Sequence, residues 1–203
     1  MATRTKKTES DVIAIPKIEI ETVKFKVRGI TPLIVSKFSE KAKQMMLDKQ
    51  MKKATAGKEA KNPQEQYEQS LYKFSDGKRT GFPAVGFKAA MVRAGKQLGM
   101  VMTDLRGRFH VMAEEGDLIE IHGEPHIRED MVRLATGVAD IRFRGEYSAG
   151  WEAEISIQYF RNAISKEQLA QLVVLAGFSC GIGEWRPERS NSGSYGLFEL
   201  VND

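Results

Sequence analysis

The chain has 203 residues, 41% of them hydrophobic, and a net charge of +4, which predicts one globular domain with insertions or two small ones. Its one cysteine, Cys180, excludes an internal disulfide framework and a multi-cysteine zinc site, and points to a reducing compartment. No run of about 18 apolar residues occurs, and residues 1–11 lack the apolar core of a signal peptide, so a soluble, cytoplasmic protein with no membrane contact is expected.

In chain order, residues 1–17 are polar and basic at first and hold no period, which predicts a flexible basic tail. Residues 18–29 alternate imperfectly and read as a strand, ended by Thr31-Pro32. Ser39 is placed to cap a helix running to residue 53, and the Met45, Met46 and Met51 stripe on it predicts core packing. A Lys, Ala and Gly linker follows over 54–62. Pro63 then reads as the first residue of a helix carrying Tyr67, Leu71, Tyr72 and Phe74. The span 36–80 is therefore a helical insertion, and 75–81 is a basic, turn-rich loop with Lys78 and Arg79.

A second helix begins near Pro83. Phe87, Ala90, Met91, Ala94 and Leu98 fall at helical spacing on it, leaving Lys88, Arg93 and Lys96 for solvent or a ligand. From 106 to 160 the period drops to two, with strands predicted at 109–112, 118–122, 131–134, 141–147 and 151–159. Residues 148–150 would join the last pair as a hairpin. That register sets Arg144 opposite Glu154 as a cross-strand ion pair and leaves Arg142 open as a ligand contact on the sheet. A last helix over 166–178 and a strand over 197–201 close the chain. Without the insertion the order is βαββαβ with an extra strand or two, an α+β ferredoxin-like (RRM-like) core spanning 18–203 as one domain.

Between the last helix and the last strand lies a loop with Gly181, Gly183, Gly193 and Gly196. Glycine lets backbone N–H groups come close to a ligand. The same loop carries Trp185 and Tyr195, suited to stacking on bases, and Arg186 and Arg189, suited to phosphates. Turn glycines in an ordinary helix-to-strand connection account for the pattern equally well. Charge is uneven: 36–113 holds 16 basic and 7 acidic residues, net +9, whereas 114–140 holds 2 basic and 8 acidic, net −6. Such asymmetry suits a polyanion and head-to-tail self-association, and is also compatible with plain solvated surface.

Catalytic signals are sparse. His110, His122 and His126 are possible general bases, and the latter pair with Glu120 and Glu124 would hold a metal only if a turn gathered them. No phosphate-binding G-x-x-x-x-G-K-[ST] motif occurs, and Gly181-x-Gly183 lacks the third glycine of a dinucleotide site, so no cofactor is predicted.

The stretch Gly81-Phe82-Pro83-Ala84-Val85-Gly86-Phe87-Lys88-Ala89-Ala90-Met91-Val92-Arg93 resembles the proline and small-residue helix segment of the RAMP superfamily, whose members bind and process CRISPR RNA. Gly181-Ile182-Gly183 with Gly193-Ser194-Tyr195-Gly196 is similar to that superfamily's glycine-rich loop. In size and layout the chain looks like the backbone subunit of multi-subunit CRISPR effectors, which polymerises along guide RNA and inserts a thumb between neighbouring segments. It departs from that layout in its short length and in the 36–80 insertion. The resemblance implies a non-catalytic binder of single-stranded RNA, or less readily DNA, assembling as a homo-oligomer or helical filament with other effector subunits. Lys78, Arg79, Lys88, Arg93, Lys96, Arg142, Gly181, Gly183, Trp185, Arg186, Arg189 and Tyr195 would form its interface. Two alternatives stay open: a metal-independent endoribonuclease using His110 or His126, and a structural subunit, including a phage-encoded one, that never touches nucleic acid.

Overall fold

The computed structural model describes residues 18–53, 60–133, 136–189 and 193–201; the tail expected over 1–17 and most of the 54–62 linker lie outside them. The first half of the chain forms β1 (Ile20–Gly29), β2 (Leu33–Val35), α1 (Glu40–Gln50), α2 (Pro63–Ser70), β3 (Tyr72–Lys73), β4 (Thr80–Pro83) and α3 (Ala84–Ala94). The second half forms α4 (Met102–Arg108), β5 (Phe109–Met112), β6 (Leu118–Glu120), β7 (Pro125–Arg133), β8 (Ala139–Tyr147), β9 (Glu152–Phe160), α5 (Lys166–Leu175) and β10 (Phe198–Leu200).

The central sheet is antiparallel, in the order β10-β1-β9-β5. Numbered by chain order among themselves, these strands read 4-1-3-2, with α3 between the first two and α5 between the last two. This is the ferredoxin-like arrangement expected from the element order. The helices cover one face. Val27 of β1 and Ala153, Ile155, Ile157 and Tyr159 of β9 pack there against Phe87, Ala90 and Met91 of α3 and Leu169, Leu172 and Val173 of α5. Each large aliphatic side chain so buried contributes about 1.5–3 kcal/mol. Local signals set the helix starts: Ser165 and Gln168 form a reciprocal capping box on α5, and Asn62 caps α2 immediately before Pro63.

The other face of the central sheet is charged. Lys24 donates to Glu154 at 2.6 Å, and Arg28 donates to Glu152 at 2.9 and 2.7 Å. Ion pairs therefore stand at its centre, where an RRM uses stacking rings.

Two smaller sheets, β2-β8-β7 and β3-β4-β6, lie beside the central one. Here the structure corrects the hairpin expected across 148–150: β8 pairs with β7 and β2, whereas β9 belongs to the central sheet. The chain changes sheets because Trp151 is an anchor. Its carbonyl accepts from Gly29 N–H at 2.7 Å, its indole donates to Thr31 O at 3.0 Å, and its ring fills the space that a side chain at Gly29 would need. Arg144 consequently pairs with Asp130, diagonally across the hairpin, and not with Glu154. The strand expected at 131–134 begins earlier, at Pro125, and residue 134 lies outside the described residues.

Within the insertion the two helices differ, and the second stops at Ser70, so that Tyr72 lies in β3 and Phe74 beyond it, not on the helix as expected. Helix α2 is docked: Ser70 Oγ accepts the buried Gly145 N–H at 2.8 Å, and Tyr67 OH donates to Pro125 O at 2.7 Å. Helix α1 buries no residue, and Met45 and Met46 are more than half exposed, against the core packing expected of them. Ser39 does cap it, accepting from Ala42 N at 3.1 Å. None of the described helices is long and apolar enough to cross a membrane.

Candidate nucleic-acid interface

The glycine-rich loop leaves α5 through a wide turn at Ala176–Cys180 and returns at β10. Two of its glycines are required by contact as well as by conformation. Gly183 has φ +78 and abuts the Ile34 carbonyl, and Gly196 has φ +67 and a Cβ there would overlap the Ile182 carbonyl. The loop is laced to the end of β2: Glu184 N donates to Ile34 O at 2.9 Å and Gly196 N to Pro32 O at 2.8 Å. Ile182 N donates to Gly196 O at 3.0 Å, and Gly181 N donates to Ala176 O at 2.9 Å. Those N–H groups serve the loop's own shape, not an open cradle.

Trp185 and Tyr195 meet edge to face, with ring centroids 5.8 Å apart. Trp185 holds φ +53, a conformation costing a non-glycine residue about 1–2 kcal/mol. Contacts from the hairpin of β7 and β8 offset it. The Arg128 guanidinium lies 5.3 Å from the Trp185 ring and 4.9 Å from the Tyr195 ring, and Arg144 lies 5.2 Å from Trp185. Each such cation–π contact is worth about 0.5–2 kcal/mol. Asp130 accepts from Arg128 Nε at 2.9 Å and from Arg144 Nη2 at 2.8 Å, and Glu146 accepts from Arg128 Nη1. Burial works against the Arg128 charge, but hydrogen bonds to Glu146 and Asp130 outweigh it and hold its pKa above the ordinary value. The aromatic pair thus clamps the loop onto the hairpin.

The remaining expected contacts divide into engaged and open cations. Arg186 donates to Gly183 O at 2.7 Å and to Glu188 at 3.3 Å, and Arg93 reaches the same Glu188 from α3. Arg79 donates to Asp76 at 2.7 Å and to Glu120 at 3.1 Å, with Phe74 beneath it at 4.4 Å. Lys88 Nζ donates to Arg106 O at 2.9 Å and lies 3.1 Å from His110 Nδ1, and burial lowers its pKa. Lys78, Lys96, Arg142 and Arg189 are exposed, and none has a side-chain hydrogen bond or ion pair among the described residues.

The sequence did not single out Arg128, Asp130 or Glu146. Their signal is charge of both signs at facing positions of β7 and β8, Arg128 opposite Arg144 and Asp130 opposite Arg142, which becomes readable only once the two strands are paired. The histidines do not gather. His110 sits by Lys88, His122 lies 3.7 Å from Glu120, and His126 lies 3.2 Å from Glu146. Among the described residues no group of three or more His, Cys, Asp or Glu side chains is arranged to hold a metal.

No family profile matches the chain, nor does any curated protein. Its fold is more telling. It superposes on a chain of the type III-B Cmr-beta complex bound to cognate target RNA with a TM-score of 0.51 at 12% identity, covering 90% of this chain and 59% of that one. The chain shares that chain's α+β, ferredoxin-like fold. Cmr6 from Pyrococcus furiosus is also similar, with a TM-score of 0.42 at 11% identity over 91% of this chain and 100% of that one. The chain spans 59% of the length of that Cmr-beta chain.

Proposed function

We propose that the chain is a non-catalytic, CRISPR-associated subunit that binds single-stranded RNA and assembles side by side along it with copies of itself or other effector subunits. The observation that carries this reading is the RAMP-type fold shared with a chain of an RNA-bound complex. Its surface supports it: Lys78, Lys96, Arg142 and Arg189 are exposed cations with no side-chain partner among the described residues, the condition for replacing counterions on phosphates. Labelled single-stranded RNA, single-stranded DNA and duplex, titrated with protein across a salt series and read by anisotropy and light scattering, test it. Salt-sensitive binding to single-stranded RNA with growth in particle size is the expected result. Absence of binding to all three at low salt overturns it and favours a structural subunit.

A second reading, metal-independent RNA cleavage, draws on the contact between His110 and the partly buried Lys88. Labelled RNA held with saturating protein in EDTA stays intact under the first reading and is cut under the second.

A further inference from the structure

Beside the hairpin, where β2 stops short, lies a cleft of about 410 Å³ lined in part by Lys37, Phe38, Gln66, Gln69, Arg142 and Phe143. Strand β8 pairs with β7 along its whole length, but with β2 only from Gly145 to Tyr147. After Val35 the chain is drawn away to α2, Lys37 N donating to Ser70 O at 2.8 Å. The rest of that β8 edge faces the cleft.

Two contacts fix which peptide groups point there. Gly145 N–H donates to Ser70 Oγ at 2.8 Å, and Ile141 O accepts from Lys61 Nζ at 2.7 Å. Backbone direction alternates along a strand, so Phe143, midway between them, aims its N–H and C=O the same way. Neither group has a protein partner among the described residues. A donor and an acceptor side by side on a strand edge match a ligand that presents the complementary pair. The edge of a nucleobase is such a group.

The surroundings agree. Lys37 and Arg142 are exposed and make no ion pair among the described residues, whereas the carboxylate in the lining, Asp140, is held by Lys61. Phe38 beside Lys37 keeps 51% of its surface exposed, an aromatic face next to a free ammonium group. The volume falls in the range of small-ligand sites, about 300–1,000 Å³. We infer that this cleft seats one nucleotide of the bound strand. Its phosphates lie against Lys37 and Arg142, its base stacks on Phe38, and its base edge meets the Phe143 peptide. This rests on the RNA-binding reading above. An acidic peptide added as a strand along the same edge is the competing occupant, but it has no use for the exposed Phe38 ring.

The test compares the full-length protein with Lys37→Ala/Arg142→Ala, with Phe38→Ala, and with a charge-matched control, Lys49→Ala/Lys166→Ala. Single-stranded RNA carrying 4-thiouridine is the probe. The expected result is binding about tenfold weaker or more for each cleft variant at unchanged melting temperature. The log–log salt slope of the double variant falls by about 1.4, since each phosphate contact contributes about 0.7 on a single strand. Photo-cross-links in the wild type map to residues 37–38 or 142–143. If the wild type binds RNA but both cleft variants match the control, or the cross-links fall elsewhere, the cleft assignment is wrong and RNA binding stands. If the wild type binds no single strand, both readings fail. A labelled Glu-rich peptide that the wild type binds and the double variant loses, with RNA affinity unaffected, assigns the edge to protein and likewise overturns the inference.

Discussion

Arg144 and Asp130 meet at 2.8 Å inside the hairpin with side chains only 5% and 3% exposed. Removing one partner of a buried pair leaves the other charged and unsolvated, at a cost of about 3–5 kcal/mol. Arg144→Ala should therefore be strongly destabilised in urea unfolding at neutral pH. Arg144→Met with Asp130→Leu should be less destabilised than the sum of its single variants. An additive cycle would show that the two side chains do not act as a unit.

Arg128 is the other half of the clamp, and its loss should be visible in fluorescence. Of the two tryptophans, Trp151 is fully buried in the core and Trp185 lies under Arg128. Arg128→Ala should shift emission to the red as Trp185 becomes wetter, and lower stability by about 1–3 kcal/mol from the lost charge-assisted bonds. An unchanged spectrum would mean that the loop keeps its place without the arginine.

Two glycines with nearly equal φ should respond differently to alanine. Gly77 has φ +69 and open space around it, so Gly77→Ala should cost only the conformational penalty, about 1–2 kcal/mol. Gly196 has φ +67 and the Ile182 carbonyl in the way, so Gly196→Ala should lose more and loosen the loop. Thermal melts of the two variants side by side separate backbone conformation from contact.

The loop before β4 should contribute an acid-side pH dependence. A hydrogen bond from the Arg79 side chain, with further ones from the Arg79 and Lys78 backbone, holds Asp76 down to about 2 from 3.8. A depressed carboxylate favours the folded state above its unfolded pKa, and that contribution is lost as pH falls through the folded one. The melting temperature of the wild type should therefore drop between about pH 4 and pH 2 more steeply than that of Asp76→Asn. Parallel curves would refute a role for Asp76.

Much of the core was legible because its signals are local. Pro63 at the start of α2, the helical spacing of Phe87, Ala90 and Met91, and the period-two run ending at Phe160 each act within a few residues. The hairpin was not, because it inverts the usual rule. Strands β7 and β8 bury Asp130 and Arg144 while exposing Met131 and Ile141, so apolar periodicity misplaces the start of β7. Residues 148–150 carry an ordinary turn signal, and only the seating of Trp151 beside Gly29 and Thr31 decides that the strands around it part. At the loop, the aromatic and arginine residue types were visible in the sequence. That Trp185 and Tyr195 would be met by arginines from positions 128 and 144 depends on contacts distant in sequence.

The central sheet also sets a timetable. The hairpin closes locally, with Asp130 and Arg144 only 14 residues apart, but β1 must find β9, and Glu21 and Tyr159 are 138 residues apart. Ribosomes add about 5–20 residues per second, so β1 waits on the order of ten seconds for its partner to emerge. Throughout that interval both of its edges are unpaired, so one of the two inner strands of the finished central sheet is a part of the nascent chain in need of protection.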